Sequence, residues 1–330
     1  ASHTPMSTLR RHFSVASGGR TPAYGPLRPT WYTQLALFTT EGLMRAYTRG
    51  MAKGIGGGAP GCIYHAYLRW MYTQGERPAA LTTEMLDGWL IREAQKFPRR
   101  HPSKTTLAAL HAAAYGSDEH PPNTSKGSGA VPRAIAVGLV EQGVGFRPFD
   151  LGVATAALTH GHPTAQLAAG FLASLTAALM AGGTLGNAFD IAMAELRRQP
   201  NHEPCLARLQ ASVQLAHEPA ATRDGVSRLG RGLVADEALA IGLFCAMRAE
   251  NFEHGVLLAV DHDGERCATG AIAGGILGAL LGRGAIPGRW LEYLELRPII
   301  EDLSRDLFCH FSGVAQGYYV TSDWDRYPGW

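Results

Sequence analysis

Side chains able to do chemistry gather in three stretches of this 330-residue chain. The first is Asp261-His262-Asp263-Gly264-Glu265-Arg266-Cys267, with Ala268 and Thr269 close behind. It sits where a small-residue helix, Thr269–Gly275, begins, so its helix N-terminus favours an anion or an oxygen-rich ligand. Glu265 or Asp263 can serve as general acid or base, Arg266 can stabilise developing charge, and Cys267 can attack if its pKa is depressed. The plainer readings are an internal Glu265–Arg266 ion pair and an inert thiol. The second stretch, Ser125-Lys126-Gly127-Ser128-Gly129, offers backbone N–H groups that can cradle a diphosphate, with Lys126 adding charge. The same composition also makes an ordinary turn. The third is Thr159-His160-Gly161-His162-Pro163. A His-x-His pair with no third ligand nearby is a weak metal signal, and ligand contact or helix-end capping is the stronger reading.

The segments that must position these residues read as helices. Expected spans are Thr33–Arg49, capped by Thr30 or Thr33, then Cys62–Thr73, Thr82–Lys96, and Leu107–Ala114 behind Ser103. Ala130–Val140, Phe149–Leu158, Ala165–Met180, Asn187–Arg197, Glu203–Ala216, Asp236–Arg248, Pro287–Glu295 and Pro298–Leu307 follow. Met51–Gly61 is a glycine-rich link without the Lys-Ser/Thr of a phosphate loop. Gly255–Val260 reads as a strand-like apolar lead-in to the first reactive stretch. Gly270, Gly274 and Gly278 recur at helix-packing spacing. The pattern predicts an all-α fold, a single multi-helix domain over residues 31–330. Residues 1–30 read as an N-terminal loop with one short helix near Leu9–Phe13, and Ala1–Pro5 as an expression remnant. Phe308–Trp330 reads as an irregular tail whose Phe311, Tyr318, Tyr319, Trp324, Tyr327 and Trp330 either meet a partner or cover the domain's own edge.

Composition narrows the classes. The chain is 46% hydrophobic and 18% charged, enough to bury a substantial core. A formal charge of +2 argues against nucleic-acid and membrane-surface partners. Five scattered cysteines without a C-x-x-C pair indicate reduced thiols and a cytoplasmic compartment. The apolar run Ala165–Met180 carries Gln166, Ser174 and Thr176, and reads as a buried helix rather than a membrane span.

Three motifs in order carry a resemblance. Pro122-Asn123-Thr124-Ser125-Lys126-Gly127-Ser128-Gly129-Ala130-Val131-Pro132-Arg133 resembles the glycine-rich substrate loop of the ADP-ribosylglycohydrolase family. Leu158–Pro163 is similar to that family's Thr-His-Gly-His-Pro link, and Ala259–Gly278 to its C-terminal metal-loop helix. Thr33–Leu43, His65–Trp70 and Asp236–Ala240 add to the likeness, which runs from about Leu9 to about Leu307. The resemblance implies an all-α domain with a cleft for ADP-ribose, cleavage of a glycosidic bond to ADP-ribose, and two magnesium ions. It also places His160 and His162 near the substrate.

Against that pattern, the metal ligands are replaced. The family's Thr-Asp-Asp-Thr-Gln falls on Thr30-Trp31-Tyr32-Thr33-Gln34, and its Gly-Asp-Ser-Asp-Ser-Thr-Gly falls on Gly264-Glu265-Arg266-Cys267-Ala268-Thr269-Gly270. Thr30 and Thr269 persist, but hydroxyls without carboxylates do not hold magnesium. Arg266 would repel a metal and can replace its charge. The family's opening helix has no counterpart before Leu9. The expectation is a degenerate family member with no metal cofactor. It would bind ADP-ribose or a related nucleotide through Ser125–Gly129, His160, Gly161, His162, Trp31, Tyr32 and Thr269, or bind a protein such as an ADP-ribosyltransferase or a modified protein. Trp31 and Tyr32 either fill the space of the lost metals or stack on a ligand ring. The alternative is a hydrolase or lyase acting on an ADP-ribose-type N- or O-glycosidic bond by metal-independent chemistry through Glu265, Arg266 and Asp263.

Overall fold

A computed structural model describes residues 26–54, 56, 58–112, 115–140, 147–218, 223–311 and 324–329. The architecture is all-α, as the periodicity predicts. The helices are α1 (Trp31–Lys53), α2 (Ala59–Thr73), α3 (Trp89–Arg92), α4 (Lys104–His111), α5 (Ala134–Gly138), α6 (Pro148–Ala157), α7 (Pro163–Met180) and α8 (Leu185–Leu196). They continue as α9 (Glu203–His217), α10 (Arg223–Leu229), α11 (Ala235–Met247), α12 (Phe252–Val260), α13 (Arg266–Leu281), α14 (Gly288–Glu292) and α15 (Arg297–Phe311). Among the described residues the extended pairings are two isolated bridges, Leu27 with Leu294 and Gly127 with Val234.

The core is built around α7. Its alanine-rich surface lets α5, α6, α8, α11 and α13 all approach it. A helix apolar on every side belongs inside, and α7 is buried along nearly its whole length, although its length and composition would suffice to cross a membrane. Pro163 starts it at the first turn, where a missing N–H costs nothing, and the His162 side chain accepts from Thr164 N–H at 3.1 Å. The long α1 ends at Gly54, whose φ of +65° lets its N–H close back on Gly50.

Four local expectations are corrected. Gly255–Val260 is helical, the body of α12. An unbroken apolar run does not distinguish strand from helix, and the Asn251 side chain caps this one by accepting from His254 N–H at 2.9 Å. Arg266 and Cys267 belong to the first turn of α13 rather than to the preceding loop. Thr82–Lys96 is not one helix. Gly88, at φ +82° and ψ 172°, takes a conformation open only to glycine, and a Cβ there would lie 2.3 Å from Arg45 Nη2. The segment therefore breaks into single turns. The helix Pro298–Leu307 extends to Phe311, because Leu303, Leu307 and Phe311 continue one buried face against α1. Phe311 and Tyr327 are buried, so these tail aromatics cover the domain's own surface. Tyr318, Tyr319, Trp330, the Leu9–Phe13 stretch and most of the N-terminal loop lie outside the described residues.

Candidate functional site

The first turn of α1, the 125–133 loop, the residues ahead of α7 and the start of α13 meet on one side of the domain. One short segment ties two of them together. Ser128 N–H donates to Leu233 C=O at 3.1 Å, Ala235 N–H donates to Lys126 C=O at 2.9 Å, and Glu265 N–H donates to Arg231 C=O at 2.8 Å. Gly264 is required at that last junction, since a Cβ would stand 1.9 Å from the Arg231 carbonyl oxygen. The 231–235 segment thus fixes the glycine-rich loop relative to the reactive stretch, a role no sequence motif announces.

Trp31 and Tyr32 stack with ring centroids 4.0 Å apart, both buried. The Tyr32 hydroxyl lies against the Ser128 side chain. Burial, reinforced by the Glu265 charge, pushes that hydroxyl far above its ordinary pKa. Opposite stands His160. A Cβ on Gly129 would lie 3.0 Å from His160 Nε2 and Cε1 and 3.2 Å from the edge of Trp31, so a larger residue there would press on both rings.

Behind His160 is Arg133, 1% exposed. Its Nη2 donates to Thr159 Oγ1, and its plane lies 4.9 Å over the Tyr67 ring. Its Nε and Nη1 are buried without a partner among the described residues. A guanidinium only donates, so Thr159 Oγ1 accepts from it. The hydroxyl proton then goes to the hydroxyl's other neighbour, His160 Nδ1 at 2.8 Å. That leaves the His160 proton on Nε2, the edge facing Gly127 and Gly129. Burial, helped by the Arg133 charge, lowers the His160 pKa to about 3. His160 is therefore a neutral, oriented N–H donor at neutral pH. Arg133 was legible only as the last residue of the 122–133 motif. An arginine inside the apolar run Ala130–Val140 is the signal that marks it.

The other expected residues divide clearly. Ser125, Lys126 and Gly127 form the loop: Ser125 Oγ accepts from Gly127 N–H at 3.3 Å, and Lys126 is exposed. His162 is turned away to cap α7. Gly161 packs on the loop, where a Cβ would stand 1.9 Å from the Asn123 carbonyl oxygen, and its N–H donates to Asn123 Oδ1. Thr269 is buried beneath the loop. Its hydroxyl donates to Ala259 C=O at 2.7 Å and accepts from His262 Nε2 at 3.0 Å, so it offers nothing to a ligand. Arg266 does not pair with Glu265. Its Nε donates to His262 C=O at 2.5 Å, and its ion pair among the described residues is with the exposed Asp263 at 3.4 Å. Burial raises the pKa of Cys267, with the Glu265 charge adding to it, which removes the depressed thiol that nucleophilic attack needs. Burial likewise raises Glu265, whose carboxylate lies beside the Cys267 N–H short of a capping hydrogen bond.

The donor set does not suit two magnesium ions. Magnesium takes hard oxygen ligands at near-octahedral geometry. Thr30 is flanked by the stacked Trp31–Tyr32 pair, the Thr269 hydroxyl is consumed internally, and the exposed Asp263 is paired with Arg266. Among the described residues no group of three or more His, Cys, Asp or Glu is placed to hold a metal ion.

A family model described as ADP-ribosylglycohydrolase matches residues 3–316. No curated protein matches the chain. Among solved structures, one titled "ADP-ribosylglycohydrolase-related protein complex" is similar at a TM-score of 0.59 and 22% sequence identity, over 92% of this chain and 95% of that one. At that identity the likeness carries the fold.

Proposed function

This chain belongs to the ADP-ribosylglycohydrolase family, and from that premise we propose that it binds an ADP-ribose-like nucleotide without the family's magnesium-dependent hydrolysis. The observation that supports the proposal is the oriented Arg133–Thr159–His160 donor set, standing beside side chains that do not suit magnesium. On one wall, Arg133 and Thr159 hold His160 as an N–H donor over two glycines that let a ligand approach. On the other, Trp31 and Tyr32, which we read as standing where family members carry carboxylates, form a buried aromatic stack. An oriented N–H and an exposed Lys126 suit phosphate and ribose oxygens, whereas the expected amide cradle is not free: the Ser125, Gly127 and Ser128 N–H groups donate to Asn123 Oδ1, Ser125 Oγ and Leu233 C=O. The edge of Trp31 gives a ring something to rest on. The buried Arg133 supplies the positive charge, in place of Arg266, which turns toward Asp263.

The metal-independent alternative is favoured by one observation: burial raises the pKa of Glu265, the direction a general acid requires. A single assay separates the two. Incubation with an ADP-ribosylated peptide is expected to release no ADP-ribose with or without magnesium. Magnesium-dependent release contradicts the binding reading, and release in excess EDTA supports the alternative.

A further inference from the structure

A cavity lies far along α1 from the site above. Its lining includes Arg45, which follows Trp31 by about 21 Å of helix at 1.5 Å per residue. The cavity encloses about 490 Å³, and Cys62, His65, Met85 and Pro328 stand in its walls with Arg45 and Arg69. That volume falls in the range of small-molecule sites.

The charge around it is one-sided at depth. Glu41, fully buried, is shared by two guanidinia: Arg45 Nε donates to Oε1 at 3.0 Å, and Arg69 Nε and Nη2 donate to Oε2 at 3.1 and 3.0 Å. Asp87 completes Arg45 at 2.8 Å. Arg69 is left underused. It is 2% exposed, and its Nη1 makes only a 3.5 Å contact to Met85 C=O. Arg49, nearby, meets only the Gly329 carbonyl, at 3.4 Å, among the described residues. At depth one carboxylate, Glu41, therefore answers two buried guanidinia, Arg45 and Arg69, while Asp87 and Glu84 lie nearer the surface. Glu84, at the mouth, is exposed and held by its own N–H and the Thr82 hydroxyl. The positive field is felt by His65, whose pKa is lowered by burial and then by Arg69, Arg45 and Arg49, so its ring stays neutral beside them.

We propose that this cavity is a binding site for a small organic carboxylate. The carboxylate meets Arg69 Nη1 and the His65 ring, and an apolar body lies between Met85, Cys62 and Pro328. A buried arginine with spare donors recognises a planar anion, and the apolar walls exclude a fully hydrated inorganic one.

The test uses 4-fluorobenzoate as probe, followed by fluorine NMR on the whole chain, with 4-fluorobenzyl alcohol as the neutral control. The expected result is saturable binding of the carboxylate at millimolar concentration, with the alcohol at least tenfold weaker. Thr82→Trp, at the exposed rim, is expected to abolish binding by filling the mouth. Arg49→Gln is expected to weaken it about threefold through lost field alone. Melting temperature checks that both variants are folded. No saturable binding by the folded wild-type chain, equal binding of acid and alcohol, or binding unchanged in Thr82→Trp overturns the proposal. None of these results bears on the nucleotide cleft, whose titration is independent.

Discussion

Arg133 reaches His160 through one hydroxyl: its Nη2 donates to Thr159 Oγ1, and that oxygen lies 2.8 Å from His160 Nδ1. A buried charge with no carboxylate partner among the described residues thereby sets the tautomer of a buried histidine against the glycine-rich loop. This relay gives the candidate site its polarity, and most of what the site is expected to do follows from it.

The relay makes stability depend on pH. In an unfolded chain His160 ionises near about 6.5, while in the fold it is held down to about 3. Between those values the unfolded chain binds the extra proton, so stability present above about 6.5 is lost as pH falls toward about 3. The slope from this group is at most about 1.4 kcal/mol per pH unit. Thermal melts from neutral to acid pH should show it, and His160→Gln should flatten it. Imidazole NMR should report an Nε2–H ring that does not titrate near neutrality. A His160 that titrates near about 6.5 contradicts the relay.

Thr159→Val removes the link while keeping the shape. Arg133 then has three unmet donor groups and His160 Nδ1 has no donor. The expected cost is about 1–3 kcal/mol, the price of stranded buried polar groups. Thr159→Ser should recover most of it, because serine restores the hydroxyl. Chemical denaturation of the three proteins checks this.

Gly129→Ala puts a methyl 3.0 Å from the His160 ring and 3.2 Å from Trp31. The rings must yield a few tenths of an ångström, and the gap between them closes. Ligand affinity is expected to fall at least tenfold while stability changes by less than about 2 kcal/mol. Calorimetry and melting of the same sample separate the two effects.

Gly161→Ala tests the other glycine contact. Its Cβ would meet the Asn123 carbonyl at 1.9 Å, a backbone atom that cannot rotate aside. A loss of about 3 kcal/mol or more is expected, far above that of Gly129→Ala, and equal losses would show that the loop adjusts.

Much of the fold was legible because its helices carry clear marks. The alanine-rich α7 was legible as Ala165–Met180, two residues short of its start at Pro163, and helix-end capping was one of the readings of His162. The strand-like reading of Gly255–Val260 failed because a short apolar run has no period, so Asn251 decided the matter from outside it. The break at Gly88 depends on Arg45 packing beneath it, a tertiary fact that local pattern does not contain. At the site, Trp31 and Tyr32 were visible as neighbouring aromatics, and their buried stack is what the fold adds. The Glu265–Arg266 pair was not there to be found, because adjacent residues at a helix start diverge and Arg266 finds Asp263 three positions back. Arg133 stood out less because its significance lies in having no acidic partner among the described residues, and partners are set by the fold.

The central claim is a nucleotide cleft that works without metal. Calorimetric titration of ADP-ribose into the chain, once with excess EDTA and once with magnesium, tests it most directly. The account predicts the same affinity in both buffers. Binding that requires magnesium, or no binding by the folded protein in either buffer, would contradict it.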